Sequence, residues 1–241
     1  MTLVLGSSLG TTSAMFDRNA PALERHMRLV RYDHRGHGSQ PAPPGPWQIA
    51  DLGRDVLALI DRLGLERASV GGISLGGMVA MWLAANAPDR VERLVLACTT
   101  ACFGDPAPWR ERARLVRAAG TTAGIADTVV DRWLTPEFAA AQPELRAQLR
   151  ALLVASPAEG YANACEAIGR MDLRAELERI AAPTLVVGAS GDLATPTDHQ
   201  EEIARRIAGA RLEILDDAAH LANVERPEAF DRLVIDHLED R

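Results

Sequence analysis

Ala68-Ser69-Val70-Gly71-Gly72-Ile73-Ser74-Leu75-Gly76-Gly77-Met78-Val79-Ala80-Met81 is the stretch on which the fold turns. A short apolar run, Ala68 to Gly71, has the character of a strand, and the nearly all-apolar run from Met78 to Ala87 predicts a buried helix. Between them lies Gly72-Ile73-Ser74-Leu75-Gly76. A Gly-x-Ser-x-Gly turn has chemical meaning in this setting, directly after a strand and before a helix. A nucleophile at such a turn takes a strained backbone, so the flanking positions must lack bulky side chains; Gly72, Gly76 and Gly77 meet that demand. The helix that follows directs its N-terminal dipole and free N–H groups at Ser74, which stabilises negative charge there. The plainer alternative is a glycine-rich turn with an ordinary Ser cap. Ala68 to Pro88 is uncharged for 21 residues, long enough to cross a bilayer as one helix, but its clustered glycines break it into strand, turn and helix.

Further strands are predicted at Leu3–Leu5, Arg28–Tyr32, Arg93–Ala97, Thr184–Gly188 and Arg211–Leu215. Leu52, Val56, Leu59, Ile60 and Leu63 recur at helical spacing, with Asp51 near the start and Gly64 at the end. Asp198–Ile207 and Pro227–Leu238 supply two more helices. Strands alternating with helices predict an α/β fold, a mostly parallel sheet covered on both faces. From Phe103 to Ala182 the rhythm fails: this stretch holds helical patterns, Trp109 and a string of Arg residues, and no strand candidate. It reads as an inserted helical cap over residues 104–182, with residues 1–103 and 183–241 forming the core.

A Ser hydroxyl needs a base, and the base needs an orienting carboxylate. His220 lies shortly after the last strand and Asp192 shortly after the one before it, in loops at the carboxyl ends of parallel strands where such sheets carry function. The order Ser74, Asp192, His220 is that of α/β-hydrolases and differs from chymotrypsin-like and subtilisin-like proteases. Asp192 could instead merely start a turn, leaving the role to Asp198, and His220 could be an ordinary loop histidine. The loop after the first strand, Ser7-Ser8-Leu9-Gly10, would give the Leu9 N–H to an oxyanion hole, paired with the Leu75 N–H.

Composition removes other classes. The chain has 241 residues and a mass of 25.9 kDa, and it is 47% hydrophobic and 24% charged, the balance of a folded globular protein. A net charge of −7 and a pI near 5.4 give no basic footprint for nucleic acid or an anionic membrane. All 26 cationic side chains are Arg. Without Lys there is neither Schiff-base chemistry nor a Walker-type phosphate loop. Cys98, Cys102 and Cys165 make neither an even disulfide framework nor a Cys-x-x-Cys pair, which fits a reducing cytoplasm. The N-terminus has no basic region of signal-peptide type. His34 and His37 have a tolerable metal spacing but no accompanying Cys or Glu set. No metal and no cofactor is expected, and Asp33 and Arg35 are expected to tie that loop down.

Several segments together resemble 3-oxoadipate enol-lactonases: Ser8-Leu9-Gly10-Thr11-Thr12, Arg35-Gly36-His37-Gly38, Ile49-Ala50-Asp51-Leu52-Gly53 and Ile73 to Met78. So do Arg132-Trp133-Leu134-Thr135-Pro136-Glu137-Phe138 and Ala218 to Glu225. The elbow and the terminal His loop would suit most α/β-hydrolases; the Ser-Leu-Gly-Thr segment and the Arg-Trp-x-Thr-Pro-Glu-Phe run are more specific. The resemblance spans Leu3 to about Leu238. It implies hydrolysis of an enol-lactone to a keto-diacid in aromatic-acid breakdown, through Ser74, Asp192 and His220 and without a cofactor. The small substrate would carry a carboxylate, for which Arg132 beside Trp133 is the first candidate, with Arg110, Arg112 and Arg114 behind it. Relatives carry an antiparallel hairpin ahead of the first strand seen here, so the expectation is either a short gene start or an exposed sheet edge; some are also fused to a downstream decarboxylase domain. The rival readings are a carboxylesterase, a carbon–carbon bond hydrolase or a perhydrolase, and more distantly a non-catalytic ligand-binding protein on the same fold.

Overall fold

The computed structural model describes residues 1–240. The chain runs through β1 (Thr2–Gly6), a single turn α1 (Ala20–Leu23), β2 (Arg28–Tyr32), α2 (Ile49–Arg62), β3 (Ala68–Ile73), α3 (Leu75–Asn86) and β4 (Val91–Ala97). Five helices follow with no strand between them: α4 (Ala107–Ala119), α5 (Ala126–Trp133), α6 (Pro136–Ala141), α7 (Pro143–Val154) and α8 (Ala158–Arg170). Alternation then resumes with β5 (Thr184–Ala189), α9 (Thr197–Arg206), β6 (Arg211–Leu215), α10 (Ala222–Glu225) and α11 (Pro227–Glu239).

The six strands form one sheet in the order β2-β1-β3-β4-β5-β6, and every neighbouring pair is parallel. β1, β3 and β5 are buried along their whole length, while the edge strand β2 leaves Arg28 exposed. The chain steps from β1 outward to β2, then returns to the other side of β1 to lay down β3 and all later strands. That reversal opens a crevice above the carboxyl ends of β1 and β3, where α/β sheets bind their ligands. The loops after both strands lead directly into it.

Helix packing explains two glycines. α2 buries Leu52, Val56 and Ile60, and its start is capped by the Asp51 carboxylate, which accepts the Gln48 N–H at 2.7 Å. A Cβ on Gly53 would lie 1.9 Å from the Trp82 ring, so a glycine is what lets α2 lie close on α3. α3 begins at Leu75, three residues earlier than the run of apolar residues suggests. Gly76 and Gly77 read as turn residues in the sequence, yet they form its first turn because the helix end presses on β1. The Gly76 N–H donates to the Ser7 carbonyl at 3.1 Å, and a Cβ on Gly76 would meet the Gly6 carbonyl oxygen at 2.1 Å.

The helices between β4 and β5 leave and rejoin the sheet at one place. The Leu173 N–H donates to the Ala101 carbonyl at 2.9 Å, and Cys102 and Asp172 form an isolated antiparallel bridge. α4 and α8 lie side by side, burying Ala113 and Val116 from one and Tyr161, Ala164, Cys165 and Ile168 from the other. No helix among the described residues is long and apolar enough to cross a membrane.

Candidate active site

Ser74 sits between β3 and α3 with φ 56° and ψ −113°, a backbone conformation that costs a side-chain-bearing residue about 1–3 kcal/mol. Its surroundings hold it there. The Ser74 N–H donates to the Ala97 carbonyl at 3.0 Å, and its carbonyl accepts both the Met78 N–H at 3.0 Å and the Thr99 hydroxyl at 2.7 Å. Gln200 supports Thr99 in turn, its amide donating to the Thr99 carbonyl at 2.7 Å. The Ser74 hydroxyl itself makes no hydrogen bond among the described residues and lines a cavity of about 250 Å³.

His220, in the loop after β6, and Asp192, in the loop after β5, meet in the same place. His220 Nδ1 lies 2.8 Å from Asp192 Oδ2, and both residues are buried. The carboxylate is held from every side: Oδ1 accepts the N–H groups of Ala194 at 2.8 Å and Thr195 at 2.9 Å, and Oδ2 also accepts the Thr195 hydroxyl at 2.7 Å. Burial works to raise the Asp192 pKa, but the His220 ring and the Thr195 donors outweigh it and hold the carboxyl below its ordinary range. It is therefore an ionised acceptor for the Nδ1 proton, which leaves Nε2 free to take a proton. Asp198, the other carboxylate weighed from sequence, is exposed and accepts the neighbouring His199 N–H at 3.0 Å.

The two N–H groups named for the oxyanion stand apart from their neighbours. The Ser8 N–H goes to the Met15 sulfur and the Gly76 N–H to Ser7, whereas those of Leu9 and Leu75 have no partner among the described residues. Leu9 lines the cavity beside Ser74, and Leu75 is the first residue of α3. Such an arrangement can accept a negatively charged oxygen. His34 braces this loop from below, donating from Nε2 to the Ser7 carbonyl at 3.0 Å. Burial and the adjacent His37 push its pKa down to about 3, so the ring is neutral. Asp33 accepts the Ser13 N–H at 2.6 Å and Arg35 pairs with Asp55 at 2.5 Å, both fastening the loop. No group of three or more His, Cys, Asp or Glu that could hold a metal stands among the described residues.

The helical insertion roofs the cavity. Trp133 is buried and lines it, as does Arg132, which is exposed at its rim. Of the three arginines ranked behind Arg132, Arg112 alone lines the cavity; Arg110 is exposed, and Arg114 is paired with Glu111 at 2.7 Å. Sequence reasoning missed Thr195, Thr99, Tyr161 and Glu225. Thr195 leaves a readable trace, since an Asp three residues before a Thr is able to fold into an Asp-centred turn. Glu225 leaves none.

Glu225 joins the insertion to the His220 loop. Its Oε1 accepts the Thr135 N–H at 2.8 Å and the Thr135 hydroxyl at 2.7 Å, and its Oε2 accepts the Ala219 N–H. Next to it, the Leu221 N–H donates to the Trp133 carbonyl at 2.9 Å. Glu225→Ala would strand these buried donors and is expected to lower stability by about 3 kcal/mol, measured by urea unfolding. Because Ala219 precedes His220 directly, kcat should fall as well; loss of stability with an unaltered kcat would show that the clamp does not position the base.

The family model described as alpha/beta hydrolase fold matches residues 2–227. The chain is 39% identical to 3-oxoadipate enol-lactonase 2 of Acinetobacter baylyi over 96% of its own length and 86% of that protein's. Among solved structures it is similar to the enol-lactonase from Burkholderia xenovorans LB400, with 42% identity, a TM-score of 0.96 and coverage of 99% of this chain and 91% of that one. A hydrolase from Pseudomonas aeruginosa PA01 is 45% identical with a TM-score of 0.95, over 99% of this chain and 89% of that one.

Proposed function

The chain belongs to the α/β-hydrolase family, as a relative of the 3-oxoadipate enol-lactonases that acts on an ester or lactone, and from that premise we propose that it opens 3-oxoadipate enol-lactone to 3-oxoadipate. The step would serve the breakdown of aromatic acids. What carries the reading is the buried Asp192–His220 pair at 2.8 Å, whose His220 lines the same small cavity as Ser74. A cavity of about 250 Å³ suits a single small ring better than a drug-sized ligand.

Ser74 Oγ attacks the lactone carbonyl carbon while its proton passes to His220 Nε2. Asp192 holds the proton on Nδ1 and stabilises the imidazolium that forms. The carbonyl oxygen becomes an oxyanion facing the Leu9 and Leu75 N–H groups, each donor of this kind contributing about 3–4 kcal/mol in the transition state. The bond from carbonyl carbon to ring oxygen then breaks. The leaving enolate takes the proton from His220 and ketonises, which makes ring opening hard to reverse. A water molecule, deprotonated by His220, attacks the acyl-enzyme and releases the second carboxylate and Ser74. Trp133 supplies an apolar wall for the ring. Besides the substrate and one water, the steps draw on side chains and backbone of this chain.

Assay of the purified protein on the enol-lactone beside a panel of neutral short-chain aryl esters tests the reading. The kcat/KM for the enol-lactone is expected to exceed that for the best ester by on the order of 10²-fold. The opposite preference would favour a general carboxylesterase.

A further inference from the structure

We propose that the substrate's own carboxylate is bound between the Arg112 guanidinium and the Tyr161 hydroxyl, making these two residues the acid-selecting part of the cavity. This rests on the reading of the cavity as the site of a small acidic lactone, and it moves the anion-binding role from Arg132 to a residue one helix away.

Tyr161, on α8, is 0% exposed, yet it lines the cavity, and its hydroxyl stands beside the Arg112 guanidinium and the Cys165 thiol with no partner in full hydrogen-bond geometry among the described residues. A buried hydroxyl without a partner is unfavourable in the empty protein, and a ligand oxygen removes that cost. Burial pushes its pKa up, against the pull of the nearby Arg112, so the group is a neutral donor. The adjacent Cys165 thiol is pushed up to about 12 by burial and is likewise uncharged.

Arg112, on α4, is half-buried on the same cavity and makes no ion pair among the described residues. Its neighbours on the helix are committed: Arg114 to Glu111, and Arg117 to Glu159 and Glu166. Arg112 is instead stacked on the Trp109 ring, 4.9 Å from its centroid, and Trp109 packs on Phe103 at 4.9 Å. Stacking fixes the guanidinium plane and leaves its N–H edge for a planar, two-oxygen ligand, which is a carboxylate. Trp109 is itself wedged, since a Cβ on Gly169 would lie 2.8 Å from its own Cβ. The one carboxylate lining the cavity among the described residues, Asp105, is exposed and accepts the Ala107 N–H at 2.8 Å. Arg132 is exposed to water, where an ion pair with a ligand is screened.

The test compares two enol-lactones with the same ring, one bearing the carboxymethyl group and one a methyl in its place. Arg112→Gln is expected to lower kcat/KM about 100-fold on the acid and at most about 3-fold on the neutral lactone. Tyr161→Phe should lose about 10-fold on the acid and no more than about 2-fold on the neutral lactone. Arg132→Gln should treat both substrates alike. Equal losses on both lactones from Arg112→Gln, or an acid-selective loss from Arg132→Gln alone, would overturn the assignment. If the wild type opens neither lactone, the enol-lactone reading fails by itself, and calorimetric binding of 3-oxoadipate to Ser74→Ala decides the anion site. Binding weakened at least about tenfold by adding Arg112→Gln sustains the site; equal binding, or none, removes it.

Discussion

Ser74→Ala is expected to lower kcat by about 10⁵-fold or more, because the members of such a triad act as one unit and removing the nucleophile removes the whole covalent route. The same substitution should leave stability within about 0.5 kcal/mol of the parent. The Ser74 hydroxyl makes no hydrogen bond among the described residues, and the bonds that hold the elbow run through its backbone N–H and carbonyl. Ser74→Gly gives a sharper result. It should be as inactive as the alanine variant but more stable, since φ 56° is strained for any side chain and free for glycine. Near-parental turnover in either variant would remove Ser74 from the nucleophile role.

Asp192→Asn should cost about 10⁴-fold in kcat with the fold intact. The surroundings dictate how the new amide sits. Its oxygen must occupy the Oδ1 position, because two backbone N–H groups, from Ala194 and Thr195, point there. The amide nitrogen then falls at Oδ2, facing the Thr195 hydroxyl and His220 Nδ1. A donor at that point requires Nδ1 to accept, which puts the ring proton on Nε2 and leaves no lone pair for the Ser74 proton. Steady-state kinetics give the loss, and the imidazole nitrogen shifts in NMR report the tautomer directly. A kcat within tenfold of the parent would sink the carboxylate assignment.

Much of this site is legible before any folding is considered, and the reason is topological. In a parallel sheet every strand ends on the same side, so residues just after three different strands converge without any knowledge of side-chain packing. Ser74 after β3, Asp192 after β5 and His220 after β6 all obey that rule, and Leu9 after β1 does too. The start of α3 was less legible, because glycines in isolation read as turn and only the pressure of β1 makes them a helix. What lies above the sheet follows no such rule. Whether Arg110, Arg112, Arg114 or Arg132 faces the cavity depends on which side of each helix is buried against its neighbour. A trace did exist: Trp109, Ala113 and Val116 mark the inward stripe of α4 at helical spacing, and Arg112 flanks it. Glu225 escapes any such reasoning, since its partners Thr135 and Ala219 come from segments that meet only in three dimensions.

That meeting constrains how a molecule can get in and out. The segment from Trp133 to Thr135 is fastened to the loop bearing His220 by the Glu225 carboxylate and by the Leu221–Trp133 bond. A roof swinging open on that side would drag His220 away from Asp192, breaking bonds that burial makes costly to lose. The α4 side bears no such tether to the base: Trp109 and Arg112 are only partly covered, and Pro108 beside them is exposed. The α5 side of the roof is therefore coupled to the His220 loop, whereas on the α4 side Trp109 and Arg112 line the cavity and stay partly in water.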